Sequence, residues 1–230
     1  MSGKGKNAID MTGGSLWKNI LVFSLPLMMT QMLEVLFNLS DVAIAGKYAD
    51  YIALGAVGST ALLVSLFTGI LIGMGAGVNV RTAHQLGAEK TSGSSETVAR
   101  TVYSGLIVCL IIGIILCLVC NIFARPMLET LKTKDELIES AVLYLKIYAL
   151  GMPAMAVYNF GNGVLSACGE TKKPLVYLSI AGVLNVILNI FFVVVCKKAA
   201  DGVAIASVIA QYLSASMIMC HLLRRKDSCK

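Results

Sequence analysis

The sequence predicts an all-α, polytopic membrane protein: a bundle of six transmembrane helices. Three observations predict it. Hydrophobic residues make up 57% of the 230-residue chain and charged residues only 14%, well under the roughly 25% charged content of ordinary soluble domains. Five stretches, 51–80, 101–124, 147–169, 174–196 and 202–223, contain no Asp, Glu, Lys or Arg. Each is long enough for a spanning helix, which needs about 20 mostly apolar residues. A sixth stretch, Ile20–Ala45, is apolar apart from a polar stripe with two carboxylates. Spanning β-barrels use alternating segments of about ten residues, which these runs are not.

In chain order, the spans are expected over 17–46, 51–80, 98–124, 140–168, 174–196 and 201–223, between terminal tails at 1–16 and 224–230. The polar start is unlike a cleavable signal peptide, so the first span is expected to act as its own membrane signal. Counting loops alternately puts twelve Lys and Arg on the side of both termini and seven on the other. The positive-inside rule then places both termini in the cytoplasm, and an even number of spans agrees. The basic residues act as topology signals, so no nucleic-acid partner is expected. Arg81–Thr97 reads as a Gly/Ser-rich cytoplasmic loop. Arg125–Glu139 reads as a short amphipathic helix on the outer interface, with Met127, Leu128 and Leu131 on the headgroups. Gly69 and Gly73 form a G-x-x-x-G pair in the second span, a pattern that permits close helix packing. Pro26 and Pro153 predict kinks, serving either as hinges or as packing devices.

The stripe on the first span is Gln31, Glu34, Asn38 and Asp41. Spacings of 3, 4 and 3 put them along one helix face. An ionisable residue inside a membrane helix costs about 3 kcal/mol or more and reads first as functional. Tyr158, Asn159 and Asn162 on the fourth span, Asn185 and Asn189 on the fifth, and Ser207 and Gln211 on the sixth supply further polar edges. Lipid-facing amides are costly, so these edges are expected to converge. Amide and hydroxyl oxygens with one or two carboxylates suit a proton or a monovalent cation. Burial favours the neutral form of Asp41, and a bound Na⁺ or a polar network favours the charged form. Asp41 therefore reads either as an exchange site or as an interhelical clamp to Asn185 or Asn189. Glu34 reads either as part of the site or as the border of a wet cavity.

No catalytic residues are evident, so no enzyme is expected. Ser207 has no activating partner nearby in sequence. Glu34 and Asp41 lie about 10.5 Å apart along the helix axis, too far to share a proton. His84 and His221 lie in a loop and near a span end, so no metal is expected beyond Na⁺ at Asp41, and no organic cofactor. The cysteines read as small apolar residues, without a disulfide framework.

Five segments in register carry a family resemblance: SLPLMMTQMLEVLFNLSDVAIAG, IGMGAGVNVRTAHQLGAE, GNGVLSACGETKKP, LNVILN and GVAIASVIAQ. Together they resemble the MATE (multidrug and toxic compound extrusion) family, in its prokaryotic branch of DNA-damage-inducible exporters. The resemblance implies cation-coupled (Na⁺ or H⁺) antiport of small cationic or amphipathic compounds across the plasma (bacterial inner) membrane. It implies a coupling site at Asp41 with Asn162 and nearby Asn159, Asn185 and Ser207. Asn189 stands where many members carry a second Asp, and Glu34 where the family commonly has Gln. Gln31, Glu34, Asn38 and Tyr158 are expected to line the substrate cavity, with Pro26 as the hinge. The family has two six-helix lobes. This sequence reaches RRKDSCK just after its sixth span, so it is expected to be the amino-terminal lobe, in contact with membrane lipid and needing a second lobe. The alternatives are a flippase for lipid-linked substrates and a non-transporting membrane scaffold.

Overall fold

The computed structural model describes residues 16–92 and 96–224, and among these the chain is helical without strands. The expected tails lie almost wholly outside the described residues. The helices are α1 (Leu16–Tyr48), α2 (Tyr51–Ser92), α3 (Glu96–Thr130), α4 (Asp135–Ala149), α5 (Met152–Ala167), α6 (Lys172–Ile190) and α7 (Ala200–Arg224). Five are long and apolar enough to cross a membrane alone. The pair α4 and α5, bent by 44° at its break, makes a sixth span. The many exposed large apolar residues, such as Leu21, Met32 and Val35 on α1 and Ile107 and Leu118 on α3, suit a lipid surround.

Several boundaries depart from expectation. Of the loop expected over Arg81–Thr97, residues 81–92 continue α2 and residues 96–97 open α3, while residues 93–95 lie outside the described residues. Arg125–Glu139 is not a separate interfacial helix. Arg125–Thr130 is the last turn of α3, and Asp135 starts α4. Leu128, expected on the headgroups, is 0% exposed in the core. The α3 end turns through Lys132 at φ 55°, with the Thr133 amide donating to the Leu128 carbonyl at 3.1 Å. That geometry closes a helix by satisfying orphan carbonyls. An ion pair from Arg125 to Glu139 then links α3 to the start of α4, while Arg125 also pairs with Glu129 within α3. Cys168, at the end of α5, is disulfide-bonded, unlike the small apolar role expected of the cysteines.

The fourth span breaks where Gly151 and Pro153 flank Met152. Proline is tolerated in a first helical turn, and α5 begins at Met152 with Pro153 second. The Tyr212 hydroxyl donates to the Leu150 carbonyl at the break, at 3.1 Å. Pro26, by contrast, lies inside the single helix α1. Its carbonyl accepts a bond from the Thr30 hydroxyl at 2.9 Å.

α5 is the central helix, packed on α2, α3 and α7. Its closest approach is to α2, but not at the expected G-x-x-x-G pair. A Cβ on Gly69 or Gly73 meets nothing within 4 Å, whereas one on Gly75 meets the Asn159 carbonyl oxygen at 2.6 Å. A Cβ on Gly163 collides with the Gly75 carbonyl oxygen. α7 buries a face of small residues, including Gly202, Ala206, Ser207 and Ala210, and small residues permit close helix approach.

α2 starts at an N-cap. The Asp50 carboxylate accepts the Ala53 amide at 2.7 Å, satisfying one of the four free amides of a helix start. Asp50→Ala is expected to cost about 1 kcal/mol, read as a lower melting temperature in detergent by circular dichroism. An unchanged transition would show that the cap carries no stability.

Candidate functional site

α1, α6 and α7 meet around Asp41, which is 3% exposed. One carboxylate oxygen, Oδ1, accepts from the Asn189 amide at 2.6 Å, and Oδ2 accepts from the Ser207 hydroxyl at 2.7 Å. Asn189 also donates to Asn185 Oδ1, and Asn185 donates to Ser207 Oγ, each at 3.2 Å. The four side chains thus close a ring. Local sequence explains the geometry: Asn185 and Asn189 are i, i+4 on α6 and share one face. Directly after them the helix widens into a π-helical segment, Phe191–Val195, a feature frequent at functional sites. The Ser207 hydroxyl has a second acceptor in the Val203 carbonyl at 3.1 Å.

Beside the ring lies a cavity of about 70 Å³, lined by Glu34, Asn38 and Asp41 of α1, Tyr158 and Asn159 of α5, and Asn185, Ser207 and Gln211 among others. At roughly 10–15 Å³ per water-sized probe, it holds a handful of waters or one partly hydrated cation. Drug-sized ligand sites run to about 300–1,000 Å³, so a drug does not fit inside it. Glu34 Oε2 and Gln211 Oε1 are buried acceptors without a protein partner, and so is Asn189 Oδ1 in the ring. No Lys, Arg or His is among the lining residues. Two carboxyl groups therefore share a low-dielectric space without a counter-charge. Chemically the arrangement can take up a proton or a cation. Its donor set, all oxygen, suits a hard monovalent ion rather than a transition metal.

The sequence-derived residues divide. Asp41, Asn185, Asn189 and Ser207 come together. Glu34, Asn38, Tyr158 and Asn159 line the cavity, where Asn38 donates to the Glu34 carbonyl and Tyr158 to the Pro174 carbonyl. Asn159 is occupied with the Met155 carbonyl at 3.0 Å and does not bond Asp41. Asn162 does not reach the ring or the cavity; its side-chain oxygen faces the Ser166 hydroxyl at 3.4 Å. Gln31 is exposed and lies outside the cavity. Ten residues of helix rotate it about 80° away from Asp41. Pro26 is likewise outside the cavity, about two turns before Glu34. Sequence reasoning missed Thr68, Tyr148 and Ser214 in the wall. Thr68 and Ser65 are two hydroxyls in an otherwise apolar run, a weak signal that does not say which of them faces inward. Tyr148 stands one turn before the break in the fourth span, where a tyrosine reads as interfacial.

The profile of the MatE family matches residues 26–191. The chain is 28% identical over 206 residues to the probable multidrug resistance protein YpnP of Bacillus subtilis, covering 89% of this chain and 45% of that protein. It is 25% identical over 203 residues to the DNA damage-inducible protein F of Escherichia coli, covering 88% of this chain and 43% of that one. Among solved structures, MATE in the bent conformation superposes with a TM-score of 0.84 at 22% identity, covering 91% of this chain and 46% of the other. An outward-facing MATE family transporter superposes with a TM-score of 0.80, also at 22% identity, covering 91% of this chain and 45% of the other. The chain spans about half the length of the curated relatives it matches. Its relatives are transporters and not enzymes. A family profile matched over most of the six-span bundle decides the assignment: the chain belongs to the MatE family of multidrug and toxic compound extrusion transporters.

Proposed function

We propose that this chain is one lobe of a cation-coupled exporter, and that Asp41 is its coupling acid. The observation that carries the reading is the cavity wall: Glu34 and Asp41 face it without any basic residue. An unpaired buried carboxylate is strongly disfavoured, so a proton or Na⁺ from solution must neutralise it. Asn185, Asn189 and Ser207 orient Asp41 through the ring, and Asn189 Oδ1 offers a further acceptor. Ion entry at Asp41 is read as loosening the α1–α6–α7 junction and moving α1 near Pro26, with substrate released outward. The substrates are small cationic or amphipathic compounds. They bind between this lobe and a second six-helix lobe, since the internal cavity is too small for them. The chain is assigned to the plasma membrane with its family, and the distribution of Lys and Arg favours both termini in the cytoplasm.

The test separates the ions. Dye efflux is measured from cells lacking their own exporters while the Na⁺ or the proton gradient is collapsed in turn. One collapse is expected to stop efflux. Efflux that survives both overturns cation coupling. An anionic, lipid-linked substrate finds no basic group in the cavity, which disfavours a flippase.

A further inference from the structure

A second recess lies between α2 and α3, on the side of the bundle away from Tyr51. It encloses about 510 Å³ and is lined by Gly77, Arg81, Thr82, Gln85, Arg100 and Ser104 among others. Arg81 is the first charged residue along α2 from Tyr51, and Arg100 the last charged residue before the apolar body of α3. Both therefore stand at the edge of the hydrocarbon, on opposite walls of one recess. No acidic residue lines it. Thr82 is 0% exposed, and its hydroxyl has no partner. Thr30 and Thr60 instead satisfy their hydroxyls on the carbonyl four residues back. Gly77 leaves the recess open, because a Cβ there meets nothing within 4 Å. Toward the membrane centre the same two helices expose Ile70, Ile107 and Val108, and Tyr103 is exposed beside the recess.

We propose that this recess binds the phosphodiester headgroup of an anionic phospholipid, held between Arg81 and Arg100. Guanidinium groups match phosphate oxygens in planar, paired hydrogen bonds. The Thr82 hydroxyl supplies a neutral donor from the buried wall. The exposed aliphatic side chains of α2 and α3 take the acyl chains, and basic pockets between helices at the cytoplasmic surface are known to suit such headgroups. The apolar sleeve is what selects a lipid over free phosphate. The inference rests on the bundle spanning a membrane and is independent of what the bundle exports.

The experiment titrates the purified protein in neutral detergent with phosphatidylglycerol and counts bound lipid by native mass spectrometry. Saturable binding is expected, and phosphatidylcholine should bind far more weakly. Arg81→Gln and Arg100→Gln should each weaken binding about five-fold, and the pair multiplicatively. Gly77→Leu retains both charges and should block binding by filling the recess. Lys132→Gln and Lys134→Gln, at the opposite end, should change nothing. Circular dichroism confirms that each variant is folded. Wild-type affinity in the double arginine variant, or in Gly77→Leu, overturns the site. Displacement by inorganic phosphate at the same concentration as lipid overturns the lipid assignment in favour of free phosphate.

Discussion

Asp41→Asn is expected to abolish ion-coupled efflux while leaving the bundle folded. The substitution keeps the shape of the ring. One side-chain oxygen still accepts from Asn189. The new amide NH₂ faces Ser207, whose hydroxyl can turn its proton to the Val203 carbonyl already 3.1 Å away. Neither Asn189 nor Ser207 is orphaned, and the second N–H of the new amide is left to the adjoining cavity, so the stability cost should stay near that of an ordinary hydrogen bond, about 1 kcal/mol. The loss is chemical: an amide neither takes up a proton nor carries the charge that holds a cation. Asp41→Leu differs. It strands the Asn189 and Ser207 donors in a buried site, at about 1–3 kcal/mol for each unsatisfied group. The two variants separate the two readings of this residue. A coupling acid gives two inactive variants, of which the Asn form melts near the wild type. An interhelical clamp gives an active Asn form and a crippled Leu form. A readout independent of a second lobe is proton release when Na⁺ is added to the purified chain. Wild-type efflux in the Asn variant, with proton release intact, would end the coupling assignment.

Gly163→Ala is expected to be among the most damaging single-methyl changes in the molecule. Its Cβ would overlap the Gly75 carbonyl oxygen and come within 3.1 Å of the Asn79 amide nitrogen. These are backbone atoms in a helix interior, so no rotamer change relieves the clash, and the helices must part. Overpacking typically costs about 1–3 kcal/mol, and this case should lie at the top of that range. The shift also displaces Asn159, whose backbone lies against Gly75, and with it the cavity wall. Gly163→Leu should prevent accumulation altogether. Gly69→Ala and Gly73→Ala are the controls. Nothing lies within 4 Å of either added methyl, and alanine is favoured over glycine in a helix by about 1 kcal/mol. Both should match or exceed wild-type stability. Melting temperatures in one detergent decide it; equal losses at Gly69 and Gly163 would mean that the α2–α5 contact is not where the bundle is tightest.

The glycines illustrate what local sequence leaves open. Gly69 and Gly73 carry the recognised small-residue spacing, yet they face away from every described neighbour. Gly75 and Gly163 lie 88 positions apart in sequence and meet only because α5 crosses α2 at that point. The amides show the same division. Asn185 and Asn189 share a face by helical periodicity alone, so their pairing was legible. Asn159 and Asn162 are also neighbours, but the sixty or so degrees between them turn one into the cavity and the other toward Ser166. Which of two adjacent amides faces inward depends on where the neighbouring helix stands.

By itself the sequence determined the membrane bundle, its spans and the presence of a carboxylate stripe on the first helix. Those properties follow from apolar run length and from 3.6-residue periodicity, which are local. The break in the fourth span falls at the kink that Pro153 predicts, whereas the tertiary structure alone decided that Leu128 belongs to the core and that Gln31 faces outward. It alone closed the ring of Asp41, Asn189, Asn185 and Ser207. The partners in that ring come from three helices, and α1 and α7 are brought together across 166 positions of chain. Helix rotation and crossing are set by packing over the whole bundle, and no window of sequence contains that information.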